Sequence, residues 1–353
     1  MLTDKTVVVT GGTGSLGTIL IRRLLSGELG NPKKIVVFSR DEAKQHAIRL
    51  KFQRQPQTAT DEVIYHDFQR LLQFQIGDIR DYHSVCTLLR DADVVFNAAA
   101  LKQVPTCEYF PFEAVRTNVE GAENIVRAIR EQRFPVHTVV GISTDKACKP
   151  VNVMGMTKAL QERIFISANI ACPSTRFIGV RYGNVLASRG SVIPLFLDQI
   201  GRGQTVTVTI PEMTRFLLSL EEAVDTIFAA VKGAEKGEVY IPRVPSAYIV
   251  DVARVLIGAR PIQIVFTGIR PGEKVHEILV SEEEAPRTVE RNDYYVIAPM
   301  LPELRSQRAE PCPLHGAYSS ADNVMSSAEL AELLRKHGLM ANGTIDFEED
   351  RLG

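Results

Sequence analysis

This sequence predicts a doubly wound α/β fold, in which a parallel sheet is covered by helices on both faces and followed by a smaller lobe. Three observations carry the prediction. Short apolar runs alternate with helix-like stretches over the first half of the chain. The first run meets its helix through a glycine-rich turn. After about Asn184 the alternation loosens, and proline and glycine become frequent. Strands alternating with helices imply parallel pairing buried on both sides.

Taken in order, Thr6–Thr10 reads as a buried strand and Thr18–Leu25 as the helix that follows it. Lys34–Phe38 is a second strand and Glu42–Phe52 a charged helix. Leu72–Ile76 reads as a third strand and Tyr82–Leu89 as a helix. The strands continue at Val94–Ala98, Thr138–Ile142 and Phe177–Arg181, with the long helices Phe112–Arg130 and Val153–Ile170 between them. Residues 1–183 are therefore expected to form a dinucleotide-binding domain, to which the chain returns around 217–245 through the helix-like Glu221–Lys232. Residues 184–286 are expected to form the smaller, substrate-binding lobe. Residues 287–353 are read as a polar C-terminal arm that either clasps a neighbour or covers its own lobe. The arm carries one amphipathic helix, Ser327–Lys336, and an acidic tail.

Bulk properties exclude several classes. Forty-one basic residues against 42 acidic ones, with no long run of one sign, leave no electrostatic footprint for nucleic acid. No stretch approaches the roughly 20 apolar residues that span a bilayer, and the N-terminus lacks the apolar core of a signal peptide. A cytoplasmic protein without a membrane partner is expected. The five cysteines (Cys86, Cys107, Cys148, Cys172 and Cys312) are scattered without a C-x-x-C pair, which argues against a disulfide framework or a zinc site. No metal is expected. Cys148 lies close in sequence to the candidate site.

The turn Thr10-Gly11-Gly12-Thr13-Gly14-Ser15-Leu16-Gly17 joins the first strand to its helix. The spacing Gly11, Gly14, Gly17 allows a tight turn, close approach of backbone to a pyrophosphate and close helix packing, the pattern of a Rossmann site. At the end of the second strand such a site for NAD has an acidic residue on the ribose. Here the sequence is Phe38-Ser39-Arg40-Asp41. A serine and an arginine suit the extra phosphate of NADP, because guanidinium grips phosphate in a fork, so NADP is favoured over NAD. Asp41, one residue late, suits a helix cap. Gly77-Asp78-Ile79 after the third strand is placed either to contact the adenine or to make a simple turn.

The strand Thr138–Ile142 ends in Ser143-Thr144-Asp145-Lys146, at the carboxyl edge where open α/β sheets place their chemistry. Met154 and Lys158 follow, four apart and on one helix face. At this point the chain resembles the inverting UDP-N-acetylglucosamine 4,6-dehydratases of the extended short-chain dehydrogenase/reductases. The similar segments are Thr10–Gly17, Phe38–Gln45, Ala98–Pro105, Thr117–Asn124, Ser143–Lys158, Arg181–Asn184, Met213–Phe216 and Gly268–Glu277. Met-x-x-x-Lys in place of Tyr-x-x-x-Lys is similar to a capsule- and O-antigen-forming subgroup.

The resemblance implies a redox-neutral lyase. Hydride leaves C4 of the sugar, the resulting ketone acidifies C5, water is lost across C5 and C6, the hydride returns to C6, and a proton is put back on C5 from the opposite face, inverting that centre. It implies Asp145 as the acid at C6, Lys146 as the base at C5, Thr144 as support for the C4 oxygen and Lys158 at the nicotinamide ribose. Cofactor contacts are implied for Gly11, Thr13, Gly14, Ser15, Leu16, Gly17, Ser39, Arg40, Asp78, Ile79, Ala98, Ala99, Ala100 and Asn118. Asn118 also reads as a helix-interior polar residue making one backbone bond. Met154 neither accepts nor donates a proton. Either Lys158 or a water acts in its place, or another side chain moves in, or C4 oxidation is lost. Asn97 and Gln103 stand where relatives commonly have histidine.

On the substrate side the resemblance implies Lys102, Asn184, Arg189, Arg215, Arg270, Glu273 and Lys274 around the UDP-sugar. Ile210 stands where aspartate is expected before Pro211. It also implies a homo-oligomer, up to a hexamer. Two other functions remain open: a related nucleotide-sugar enzyme, such as a 4-epimerase or a dehydratase on another sugar, and a catalytically idle NADP-binding sensor or scaffold.

Overall fold

The computed structural model describes residues 1–53, 71–186, 191–305 and 311–340. The expected acidic tail and Arg189 lie outside the described residues. In chain order the strands of the large sheet and its surroundings are β1 (Thr6–Thr10), β2 (Lys34–Ser39), β3 (Leu72–Ile76), β4 (Val94–Asn97), β5 (Thr138–Ile142), β6 (Arg176–Val180), β7 (Asn184–Val185) and β8 (Val206–Val208). They continue with β9 (Thr214–Leu218), β10 (Val239–Pro242), β11 (Ser246–Tyr248), β12 (Ile264–Phe266), β13 (Ile278–Val280), β14 (Thr288–Arg291), β15 (Tyr294–Ile297) and β16 (Tyr318–Ser319). The helices are α1 (Ser15–Leu25), α2 (Glu42–Gln53), α3 (Tyr82–Leu89), α4 (Val104–Tyr109), α5 (Pro111–Ala114), α6 (Gly121–Gln132), α7 (Val153–Ala171), α8 (Val192–Gly201), α9 (Leu220–Gly233), α10 (Ile249–Ile257) and α11 (Ser327–Lys336).

Strands β1 to β6 run parallel in the order 3-2-1-4-5-6, the doubly wound arrangement of a dinucleotide-binding domain. β10 adds to β6 in parallel, and the antiparallel hairpin β14–β15 closes that edge. Side chains alternate across a strand, so Val7 and Val9 face one core with Leu20, Ile21 and Leu24 of α1 and Ile227 and Phe228 of α9. Val8 faces the other, with Val85, Leu88, Ile125, Val126 and Phe165. Each such valine, fully buried, contributes roughly 1.5–3 kcal/mol relative to exposure.

The sequence-based boundaries shift in three places. Helix α1 begins at Ser15 rather than Thr18, because Gly14 takes an extended N-cap conformation and the backbone N–H of Thr18 already bonds the Gly14 carbonyl at 2.9 Å. The stretch expected as one helix, Phe112–Arg130, is α5, a π-helical turn at Val115–Glu120, and α6. Several strands of two to four residues in the second half were not foreseen, being too short to show a period.

The smaller lobe has its own core, which includes Phe196 of α8, Val206 and Val208 of β8, and Leu256 of α10. Leu330 and Leu334 of α11 are fully buried in the same cluster. The C-terminal arm thus covers its own lobe, while its first residues, β14 and β15, belong to the large sheet.

Candidate active site

The glycine loop divides its labour. Gly11 holds φ +64°, and a Cβ there would lie 2.7 Å from the backbone of Ala99, so the loops after β1 and β4 touch backbone to backbone. A Cβ on Gly17 would lie 2.5 Å from the Gly12 Cα, which presses α1 against the loop. Gly14 meets only the Gly11 carbonyl, at 3.5 Å. Helix α1 has no side-chain cap and no acidic residue in its first turn, so the N–H groups of Ser15, Leu16 and Gly17 lack partners within the helix. A diphosphate fits there: partnerless donors, the positive end of the helix and no Cβ at Gly14.

At the end of β2, Ser39 Oγ lies 3.1 Å from Thr13 Oγ1 and accepts from the Asp41 N–H at 3.2 Å. Arg40 is exposed, 4.0 Å from Asp78 Oδ2. Burial of Asp78 works to raise its carboxyl, but hydrogen bonds from Arg80 outweigh it and leave it below the ordinary range. Asp41 caps α2 through the Lys44 N–H. Ile79 turns inward, where a Cβ on Gly121 would meet it at 2.9 Å. Ala98 and Ala99 donate backbone N–H groups to the Thr10 carbonyl and hydroxyl. Asn97 is buried and accepts from Thr10 Oγ1 at 2.7 Å.

The chemistry-bearing turn follows β5. Thr144 caps the short helical turn Asp145–Ala147 and donates to Asp145 Oδ1 at 2.9 Å. Asp145 is fully buried; its Oδ1 also takes Lys146 Nζ at 3.0 Å, and its Oδ2 has no hydrogen-bond partner. The Oδ2 atom lies 3.5 Å from where a Cβ on Gly183 would stand, so the glycine leaves room beside it. Burial pushes the Asp145 carboxyl above its ordinary range; the Lys146 charge opposes this and the Glu277 charge adds to it. For Lys146, burial alone would lower the ammonium, but Asp145 and Glu277, the latter at 3.3 Å, hold it above the ordinary lysine range.

Lys158 is buried on α7, donating to the Ile142 carbonyl at 2.5 Å and to Gln161 Oε1 at 2.6 Å. Burial lowers it to about 8, with Glu162 opposing. Met154, one turn earlier, fills an apolar pocket with Cys107 and Ala114. Asn118 is also buried. It bonds the Leu101 carbonyl at 3.0 Å, the Leu101 N–H at 2.8 Å and Thr157 Oγ1 at 3.0 Å, tying the loop after β4 to α7. Its π-helical turn aims it there, and a regular helix would point that position elsewhere.

The substrate-side residues separate. Asn184, on β7, is half-buried with a partnerless Oδ1, and Glu273 has a partnerless Oε2. Four of the seven buried side-chain atoms without hydrogen-bond partners among the described residues belong to Asp145, Asn184, Glu273 and Glu277, and buried polar atoms call for such a partner. Lys102 and Arg270 are exposed on loops. Arg215 is buried and donates to the carbonyls of Thr214, Val275 and Lys274, and Lys274 donates to the Cys148 carbonyl. Both cations are therefore bound to the protein itself. Ile210 packs against the lobe core, which accounts for an apolar residue there.

Sequence reasoning missed Glu277, whose only sign was its place at the end of the Gly268–Glu277 segment. It also missed a buried group behind the turn. There Arg181 lies between Glu162, at 2.6 Å, and Glu284, at 2.8 Å, and also donates to the Leu279 carbonyl. Cys148 lies 3.7 Å from Glu284, and burial pushes its thiol up to about 12, which disfavours the thiolate at neutral pH. Among the described residues no helix is long and apolar enough to cross a membrane, and no cluster of His, Cys, Asp and Glu suits a metal ion.

A family model described as "Polysaccharide biosynthesis protein" matches residues 7–299. The UDP-glucose 4-epimerase of Rickettsia conorii is 43% identical over 302 residues, 84% of each chain. The structure of Pen from Bacillus thuringiensis superposes with a TM-score of 0.85 at 35% identity, covering 96% of this chain and 100% of that one. DesIV from Streptomyces venezuelae, a dTDP-glucose 4,6-dehydratase with NAD and TYD bound, shares the fold at a TM-score of 0.65 and 19% identity, over 76% of this chain and 86% of its own.

Proposed function

The chain belongs to the polysaccharide biosynthesis protein family and has the extended short-chain dehydrogenase/reductase fold of nucleotide-sugar epimerases and dehydratases, and we propose that it is a UDP-N-acetylglucosamine 4,6-dehydratase that inverts C5. One observation carries the proposal. Asp145 is a buried carboxyl whose environment favours the protonated form, with one oxygen partnerless and the amine of Lys146 on the other. Elimination of water needs an acid and a base side by side, and these two groups stand 3.0 Å apart. A 4-epimerase has no such step. The name of the Rickettsia conorii relative nevertheless favours UDP-sugar 4-epimerase as the second reading.

NADP bound along the glycine loop would supply hydride acceptance at C4 and its return at C6, where it is matched by a proton added back to C5 on the opposite face. Gly14, Ser15 and Leu16 would hold its diphosphate, with Arg40 and Ser39 at the ribose phosphate. Thr144 positions the C4 oxygen. Lys146 takes the C5 proton, the C5–H electron pair becomes the C5–C6 double bond, and the C6 hydroxyl leaves as water with the proton of Asp145. Asn184 and Glu273 hold the nucleotide sugar.

With Met154 unable to take a proton, Lys158 is the group assigned to the C4 hydroxyl. Its amine form gains population as pH rises through about 8, so C4 oxidation should accelerate across that pH. Lys158→Met should abolish the rise, as single-turnover kinetics would show. An unchanged pH profile in that variant would remove Lys158 from the role.

The function itself is tested with UDP-N-acetylglucosamine in deuterated water, followed by mass spectrometry and proton NMR. Loss of one water, deuterium at C5 and an inverted C5 are expected. A C4 epimer without loss of water would establish the second reading instead. In the same preparation NADP should raise the melting temperature more than NAD does at equal concentration; the reverse order would overturn the cofactor assignment.

A further inference from the structure

Glu277 enters the site from the far side of the chain, and its backbone is fixed there. The Glu277 N–H bonds Ser320 Oγ at 2.9 Å, and the Ser320 N–H returns to the Glu277 carbonyl at 2.8 Å. Ser320 is fully buried and belongs to the C-terminal arm, whose strand β16 pairs with β13. The arm therefore sets where the Glu277 carboxylate stands. That place is 3.3 Å from Lys146 Nζ, opposite Asp145 at 3.0 Å.

Elimination requires a carboxylic acid on Asp145 and a free amine on Lys146. Moving one proton from Nζ to Oδ1 along their 3.0 Å hydrogen bond turns a carboxylate and an ammonium into that pair, with no change in total charge. At Lys146 Glu277 opposes the transfer, because a negative charge 3.3 Å away favours the ammonium, while the same charge raises Asp145 and favours its acid form. Its opposition is limited by two other cations: Arg215 Nε stands 4.0 Å from Oε1, and Lys274 Nζ stands 3.7 Å from Oε2.

Arg215, already beside Glu277, also works to lower the Lys146 ammonium; the charged and polar groups on the neighbouring elements are otherwise engaged. Thr144, on its own turn, is neutral. Tyr182, after β6, is held protonated by burial. Lys158, on α7, is occupied with Ile142 and Gln161, and Arg181 with Glu162 and Glu284.

Resting on the dehydratase assignment above, we propose that Glu277 is a positioning residue that governs the protonation of Lys146, and that Lys274 tempers it by sharing its carboxylate. Glu277 keeps the amine charged and harmless until the sugar's own groups enter the cluster. Lys274, bound to the Cys148 carbonyl, keeps that hold weak enough to release.

The test reads Lys146 directly and needs no substrate. Trace acetylation of the full-length protein across pH, followed by peptide mass spectrometry, gives the midpoint at which the Lys146 amine becomes reactive. Glu277→Gln should lower that midpoint by about one pH unit, roughly tenfold more free amine at a fixed pH. Lys274→Gln should raise it, because Glu277 is then left to Lys146 and Arg215. A merely structural role for Glu277 predicts no opposed shifts. Equal midpoints in wild type and Glu277→Gln overturn the proposal, as does a downward shift in Lys274→Gln, which also serves if the first variant fails to fold. Opposed midpoint shifts in a protein that does not dehydrate UDP-N-acetylglucosamine would sink the assigned reaction while leaving the role of Glu277 intact.

Discussion

Replacing Asp145 with asparagine should lower the dehydration rate by roughly 10²–10⁴-fold, the loss that follows removal of a general acid, with little change in the affinity for the nucleotide sugar. Asparagine keeps the shape and can still accept from Thr144 and Lys146 through its carbonyl oxygen. It cannot deliver a proton to a departing hydroxyl. Burial raises Asp145, against the pull of Lys146, so its acid form persists to higher pH than an exposed aspartate allows and is lost as pH rises further. A descending limb of kcat above the ordinary carboxylate range is therefore expected in the wild type. Steady-state kinetics of the purified variant decide the matter: a rate within threefold of wild type would remove Asp145 from the acid's role.

The second large effect concerns stability. Arg181→Met should destabilise the fold by about 3–5 kcal/mol, because it leaves Glu162 and Glu284 buried near each other without their cation and the Leu279 carbonyl without that donor. Adding Glu162→Gln to that variant should recover part of the loss, since one buried charge fewer is then unpaired. Burial works to raise the Glu284 carboxyl, but Arg181 outweighs it and holds it at about 2. A folded-state value below the unfolded one, about 4.3, stabilises above the unfolded value and is lost as pH falls toward 2. The acid sensitivity of wild type in that window should be muted in the variant. Denaturant melts at neutral and acid pH measure both quantities, and a loss under 1 kcal/mol would show that the buried group is not a clamp. The clamp matters to the site because Leu279 and Glu284 follow directly on the segment that carries Glu277.

Much of this molecule was legible in its residues. The run Thr6–Thr10, the glycine turn and the helix after it form one local unit, and each glycine's task follows from spacing alone. The apolar runs at Lys34–Phe38 and Thr138–Ile142 announce buried strands because both of their faces are apolar, while Leu72–Ile76, broken by Gln73 and Gln75, is a half-buried edge strand. Asp145 and Lys146 were legible for a similar reason: adjacent residues at the carboxyl end of a parallel strand share one place in any fold of this class.

What escaped the sequence depends on contacts between distant residues. The apolar pattern of Phe112–Arg130 is continuous, so nothing in it reveals the π-helical turn that sends Asn118 to Leu101 and Thr157. Arg215 and Lys274 read as cations for a diphosphate, yet tertiary packing surrounds them with backbone carbonyls and Glu277. The sequence alone determined the order of strands and helices in the first half of the chain, the glycine loop and the adjacency of Asp145 and Lys146, because each is encoded by neighbours within a few positions. Only the tertiary structure decided which charges surround that pair. The electrostatic energy of a charge depends on what lies within a few ångströms of it, and Glu277, held by the buried Ser320 of the C-terminal arm, comes within 3.3 Å of Lys146 only when the chain folds back on itself.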